Sequence, residues 1–154
     1  MLVKEIYRMT IAAHQTRILA VDTVDRSRVV SFHGRLPRSL SPDAEQAVFL
    51  VMDGQTTSVP LAEKPSVVIG RADSKTGFRP DVDLTAHGAL VRGISRAHAR
   101  LYRQGSHLYV ADLSSANGTF VGGVRLTPDI PYRLRSGDQL TLGCLNIRVL
   151  FHSS

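Results

Sequence analysis

Asp112-Leu113-Ser114-Ser115-Ala116-Asn117-Gly118-Thr119-Phe120-Val121-Gly122-Gly123-Val124-Arg125-Leu126 is the stretch whose reading decides the fold. Asn117-Gly118 is a turn dipeptide, because both residues tolerate backbone angles that other residues avoid. Thr119–Val121 and Val124–Leu126 are short β-prone runs, and Gly122-Gly123 joins them as a tight hairpin. On the N-terminal side, His107–Asp112 reads as a strand and Gly105-Ser106 as the turn before it. Ahead of that turn, Ala97–Arg103 alternates, with Ala97, Ala99 and Leu101 on one face and His98, Arg100 and Tyr102 on the other. On the C-terminal side, Gly137-Asp138 is a turn before Gln139–Leu142. A last strand places Leu145, Ile147, Val149 and Phe151 on one face.

The same texture extends back to Ala47. Ala47–Met52 is β-rich, Asp53-Gly54 is a turn signal, Thr57–Leu61 returns, and Ser66–Gly70 follows. A loop runs from Arg71 to about Pro80. Many short strands with glycine-rich turns every eight to twelve residues argue an all-β protein, a two-sheet β-sandwich. Residues 1–45 differ. Leu2, Ile6, Met9 and Ala13 have helical spacing, Ile18–Val21 is β-like, and residues 25–45 read as a linker rich in charge, proline and serine. Ser41-Pro42-Asp43-Ala44-Glu45 has the form of a helix start. The expected organisation is an N-terminal extension over residues 1–45 and one domain over residues 46–154.

Composition narrows the function classes. The chain has 154 residues, 43% hydrophobic and 21% charged, enough for one packed domain with an extension. A single cysteine, Cys144, permits no internal disulfide framework. No apolar run approaches the roughly 20 residues needed to span a bilayer, so a soluble, cytoplasmic protein without a membrane partner is expected. Net charge is +6, which favours an anionic partner. The densest basic run, Arg92, Arg96, Arg100 and Arg103, is interrupted by apolar residues, and alternation scatters it over both strand faces. No aromatic platform accompanies it, which disfavours nucleic acid. The six histidines lack metal-ligand spacing, so no metal site is expected. Ser95, His98 and Asp112 are the residue types of a hydrolase triad, but no Gly-x-Ser-x-Gly elbow surrounds Ser95. No phosphate-cradling Gly-x-x-x-x-Gly-Lys loop is present. No catalytic residue, cofactor or enzyme activity is implied.

Four landmarks stand in a fixed order. They are Ile69-Gly70-Arg71, then Ile94-Ser95-Arg96-Ala97-His98-Ala99, then Ala116-Asn117-Gly118-Thr119, then Ser136-Gly137-Asp138 with Leu142-Gly143. Over residues 47–152 this order closely resembles the forkhead-associated (FHA) domain family, whose pattern is Gly-Arg, Ser-x-x-His, Asn-Gly-Thr, Gly-Asp. The physical logic agrees with the resemblance. A phosphate needs several donors converging on one point, and arginine forks, a serine hydroxyl and loop N–H groups supply them.

The resemblance implies an eleven-stranded or similar sandwich with a phosphopeptide site in the loops at one end. It implies that Arg71, Ser95, Arg96 and Asn117 contact the ligand, Asn117 on the main chain beside a phosphothreonine. His98 then braces the loops, with Gly70, Gly118 and Thr119 as supporting residues. The implied partner is a phosphothreonine-containing protein in a serine/threonine kinase pathway. Two departures from the pattern are Ala116, where relatives often carry a hydroxyl, and Gly122, where asparagine is usual. They motivate one alternative, an FHA-fold scaffold that binds independently of phosphate. A basic nucleic-acid binder is the other.

Overall fold

The computed structural model describes residues 47–152. The helix, strand and linker readings of residues 1–45 lie outside the described residues. Among the described residues eleven strands form two sheets. They are β1 (Val48–Met52), β2 (Gln55–Val59), β3 (Ser66–Gly70), β4 (Val82–Asp83), β5 (Ala97–Gln104), β6 (His107–Asp112), β7 (Thr119–Val121), β8 (Val124–Arg125), β9 (Tyr132–Leu134), β10 (Gln139–Leu142) and β11 (Leu145–Phe151). The first sheet has the order β2-β1-β11-β10-β7-β8 and the second β4-β3-β5-β6-β9. The registered pairs are antiparallel, save for β3 with β4, which run parallel.

The sheets are held by the apolar faces that alternation predicts. Leu145, Ile147, Val149 and Phe151 are buried along β11, while Asn146 and Arg148 between them are exposed. Ile69, Leu101, Leu140 and Leu50 come from four different strands and are wholly buried with them in one apolar cluster. Full burial of each such side chain contributes about 1.5–3 kcal/mol. Val67 on β3 and Val110 on β6 join the same cluster from either side of β5.

Turn chemistry sets the strand ends. Asp53 and Gly54 have φ of 47° and 74°, and Met52 pairs directly with Gln55. This two-residue turn starts β2 at Gln55, before the expected Thr57, and β2 ends at Val59, before the expected Leu61, where Pro60 has no N–H to donate. Strands β4 and β9 are too short, at two and three residues, to show a period in sequence.

One local irregularity matters for the site. Between β3 and β5 the register shifts at Ile69/Gly70, so that Ile69 faces Ala99 while Gly70 faces Ala97. The odd residue is His98. Simple alternation puts His98 on the face of Arg100, which is exposed, yet His98 is completely buried. A bulge inserts one residue and re-aims the chain at that point. The expected shared face of His98, Arg100 and Tyr102 therefore breaks at His98.

Candidate functional site

Three connections converge at the bulge: the β3–β4 loop carrying Arg71, the β4–β5 loop carrying Ser95 and Arg96, and the β6–β7 loop carrying Asn117. Gly70 is where the first two meet. A β-carbon there would overlap the carbonyl oxygen of Arg96 and stand 2.8 Å from that of Ser95. The absence of a side chain lets the Arg71 N–H donate to both carbonyls, at 3.3 Å to Ser95 and 3.2 Å to Arg96. The Arg71 side chain is tied as well, with Nε donating to the Ile94 carbonyl at 3.0 Å. That leaves both terminal nitrogens of its guanidinium without a hydrogen bond to the described residues.

Ser95 is held by three contacts. Its backbone N–H donates to His98 Nδ1 at 2.9 Å, its carbonyl accepts from Arg71, and its hydroxyl oxygen accepts from the Ala116 N–H at 3.0 Å. The Asn117 side chain donates through Nδ2 to the Gly93 carbonyl at 2.8 Å. Gly93 has φ of 70°, and a β-carbon on it would overlap the Asn117 amide nitrogen. Glycine is therefore required twice over at position 93, by backbone conformation and by close approach.

His98 joins the loops. Its Nε2 lies 3.1 Å from the Gly118 carbonyl, and its Nδ1 accepts from Ser95. This fixes the neutral tautomer, with the proton on Nε2. Behind it, Asp112 organises the β6–β7 loop. Its carboxylate accepts from the Ser115 N–H and hydroxyl and from the Thr119 hydroxyl. The Gly118 N–H donates in turn to the Ser115 hydroxyl oxygen at 3.0 Å. Burial pushes the Asp112 carboxyl up, but these donors and the nearby His98 outweigh it and hold the group below its ordinary value.

Ser95, His98 and Asp112 do not form a relay. Both His98 ring nitrogens face backbone groups, and Asp112 is occupied by Ser115 and Thr119.

The seven residues Gly70, Arg71, Ser95, His98, Asn117, Gly118 and Thr119 thus fall in one continuous network. Arg96 is placed differently. Its side chain is half exposed and pairs through Nη1 with Asp73 at 3.2 Å. A cleft of about 630 Å³, lined by Thr76, Gly77, Phe78, Ser95, Arg96 and Ala97, lies beside Arg96. Sequence reasoning missed Asp73, Gly93 and Ser115. Gly93 carried a signal, a glycine two positions before Ser95; Asp73 and Ser115 read only as loop residues. The basic run disperses as expected. Arg92 pairs with Asp53, Arg100 is exposed, and the Arg103 guanidinium lies 5.7 Å from the centre of the Phe151 ring.

Burial is the first cause acting on His98, and it lowers the imidazole below its ordinary value, against smaller opposing effects of Gly118 and Asp112. An unfolded chain takes up a proton near pH 6.5 that the folded protein resists. Stability from this group is therefore complete above about pH 6.5 and is lost as pH falls through the lowered folded value. Thermal unfolding of the free protein should show a falling midpoint from about pH 6.5 downward, and His98→Asn should flatten that slope. An unchanged slope in the variant would assign the acid sensitivity elsewhere.

The FHA domain family model matches residues 67–143, half of the chain. FraH of Nostoc sp. is 39% identical over 86 residues, which cover 55% of this chain and 29% of FraH. FhaB of Mycobacterium tuberculosis is 36% identical over 96 residues, covering 61% of this chain and 54% of FhaB. The chain therefore spans from under a third to about half the length of these curated relatives. A solved FHA domain studied for phosphothreonine-dependent interactions is 28% identical, with a TM-score of 0.53 over 69% of this chain and 97% of its own. The FhaA FHA domain, solved in complex with the intracellular domain of Rv3910, is also 28% identical. It has a TM-score of 0.50 over 66% of this chain and 98% of its own. Two sheets of this topology, the first three ordered landmarks gathered at one end, and a family match running from β3 to the end of β10 lead to one assignment: the chain belongs to the FHA domain family.

Proposed function

We propose that this chain binds phosphothreonine in a partner protein and so recruits the products of a serine/threonine kinase. The observation that carries the reading is the state of Ser95. Its hydroxyl oxygen accepts from the Ala116 N–H, which leaves the hydroxyl hydrogen to donate. Close by, Arg71 is anchored through Nε with its terminal fork unused. A phosphate dianion between them receives a planar bidentate donor and a hydroxyl donor, the arrangement arginine suits better than lysine. Asn117 spends Nδ2 on Gly93 and keeps its carbonyl oxygen to accept a main-chain N–H of the ligand. Arg96 reaches phosphate by leaving or sharing Asp73.

In this reading the chain recognises and does not catalyse, and it acts where such kinases act, in the cytoplasm. Among the described residues no helix is long and apolar enough to cross a membrane. Calorimetric titration of one peptide in threonine, phosphothreonine and phosphoserine forms tests the proposal. Binding only of phosphorylated forms, with phosphothreonine tighter, is expected. Equal binding of the unphosphorylated peptide would favour a phosphate-independent scaffold. One buried methyl is worth about 0.8 kcal/mol, or roughly fourfold in affinity, between the two phosphorylated forms.

Ala116 supplies a graded test. The residue is exposed and its N–H touches Ser95 Oγ. Ala116→Thr and Ala116→Ser each add a hydroxyl beside Ser95 that can donate to phosphate. The expected gain is about 0.5–1.5 kcal/mol in binding with little change in stability, read by titration of one phosphopeptide into all three proteins. No gain from either folded variant would mean that position 116 does not face the phosphate.

A further inference from the structure

The turn between β1 and β2 carries a carboxylate that reaches the loop delivering Ser95. Asp53 lies outside the residues that the family model matches. Its φ is 47°, a left-handed conformation that aspartate tolerates better than most residues. Both of its oxygens are spent on the β4–β5 connection. Oδ1 accepts from Arg92 Nη1 at 3.1 Å, and Oδ2 lies 3.3 Å from His87 Nδ1. The Asp53 and Arg92 side chains are partly exposed, whereas that of His87 is only 10% exposed. A glycine follows each tethered residue, Gly88 with φ of 66° and Gly93 with φ of 70°. Glycine has the most conformational freedom to lose, so a connection with one at each end of its tip needs outside ties to keep one shape.

The use of that shape is visible in residues 92–95, where four successive carbonyls accept from outside the connection. Arg92 takes the Cys144 N–H of the β10–β11 hairpin at 2.9 Å, and Gly93 takes Asn117 Nδ2 at 2.8 Å. Ile94 takes Arg71 Nε at 3.0 Å, and Ser95 takes the Arg71 N–H at 3.3 Å. The segment thus carries Ser95 and orients both Arg71 and Asn117. Any shift of these carbonyls moves three candidate ligand contacts together. An ordinary exposed ion pair contributes little to folding stability. Here the pair is attached to a segment whose position decides ligand geometry. Holding that segment before the ligand arrives lowers the ordering cost of binding.

We propose that Asp53 is a positioning residue for the phosphate site: through Arg92 and His87 it holds residues 92–95 where they present Ser95, Arg71 and Asn117. The inference rests on the phosphothreonine reading above and adds to it a residue outside the family match. Charge alone predicts the opposite effect. A carboxylate repels phosphate and occupies an arginine, so by simple electrostatics its removal tightens binding of a phosphorylated ligand. Positioning predicts that its removal weakens binding, and the sign separates the two.

Two variants keep the turn unstrained. Asp53→Gly removes the carboxylate and retains the left-handed backbone, while Asp53→Asn retains that backbone and one acceptor oxygen. One phosphothreonine peptide is titrated into wild type and both variants, well below their melting midpoints. Asp53→Gly is expected to bind about threefold to tenfold more weakly, with Asp53→Asn between it and wild type. Amide hydrogen exchange is the second readout. The Cys144 N–H, which donates to the Arg92 carbonyl, should exchange faster in free Asp53→Gly and regain protection when the peptide saturates the protein. In an Arg92→Ala background the effect of Asp53→Gly should shrink, because one tie is already gone; an effect of full size there overturns the proposal. Equal or tighter binding by Asp53→Gly, or unchanged exchange at Cys144, also overturns it and leaves phosphate-dependent binding intact. Asp53→Asn carries the same opposition of signs, so an Asp53→Gly protein that fails to fold does not end the test. Wild type that ignores phosphate altogether removes the underlying reading and this one with it.

Discussion

Gly70→Ala is expected to destabilise the fold by about 3 kcal/mol and to abolish phosphopeptide binding at the same time. The added methyl would overlap the Arg96 carbonyl oxygen and lie 2.7 Å from its carbon and 2.8 Å from the Ser95 oxygen. All three are backbone atoms, so no side-chain rotation relieves the overlap. Overpacking in a filled site costs about 1–3 kcal/mol, occasionally more. Separating the strands also loosens the shared bond from the Arg71 N–H to Ser95 and Arg96, worth about 1 kcal/mol. A loss of this size lowers the melting midpoint of a domain of this length by roughly 10–20 °C. Binding fails because the displaced atoms belong to Ser95, Arg96 and Arg71. Thermal unfolding and titration of the same preparation check both halves. A variant that melts with wild type would show that the β3–β5 bulge opens freely to admit a methyl.

Arg71→Ala should weaken phosphopeptide binding at least tenfold and leave the melting midpoint nearly unchanged. The side chain is half-buried, and its one hydrogen bond within the described residues, to the Ile94 carbonyl, can be replaced by water. Removing one charge-assisted contact to phosphate costs about 1.5–3 kcal/mol, and about 1.4 kcal/mol is already a factor of ten. Arg71→Lys should recover only part of the loss. An ammonium cannot hold the Ile94 carbonyl and also present a planar pair of donors to phosphate. Titration curves for Arg71→Ala that superimpose on those of wild type would remove Arg71 from the site.

The sandwich was legible in residues 47–152 because its signals are local. Alternation along β11, the Asp53-Gly54 turn and the Gly122-Gly123 hairpin each follow from side-chain direction and backbone freedom over a few residues. Strands β4 and β9 were not legible, since neither is long enough to establish a period. Among the candidate site residues, Arg71, Ser95, Arg96 and Asn117 were named by their order along the chain, as part of a family resemblance. Asp73, which takes Arg96, and Gly93, which takes Asn117, lie 23 and 24 residues from their partners. No spacing rule links residues that far apart.

The chain's own order of residues therefore determined the all-β class, most strand positions, the family and the identity of the candidate phosphate ligands. Pattern and turn chemistry are properties of neighbouring residues, and they survive in a bare sequence. Only the tertiary structure decided how those ligands are presented. It buries His98 at a bulge where alternation would expose it, because one extra residue in β5 reverses the expected face. It spends one donor of Arg71 and one of Asn117 on carbonyls of the β4–β5 loop, and so orients what remains. It gives Arg96 a carboxylate partner and leaves Leu90 and Val91 in water on a tethered turn. Each of these depends on which loops meet at one end of the sandwich, a contact that forms only when two sheets close over a shared core.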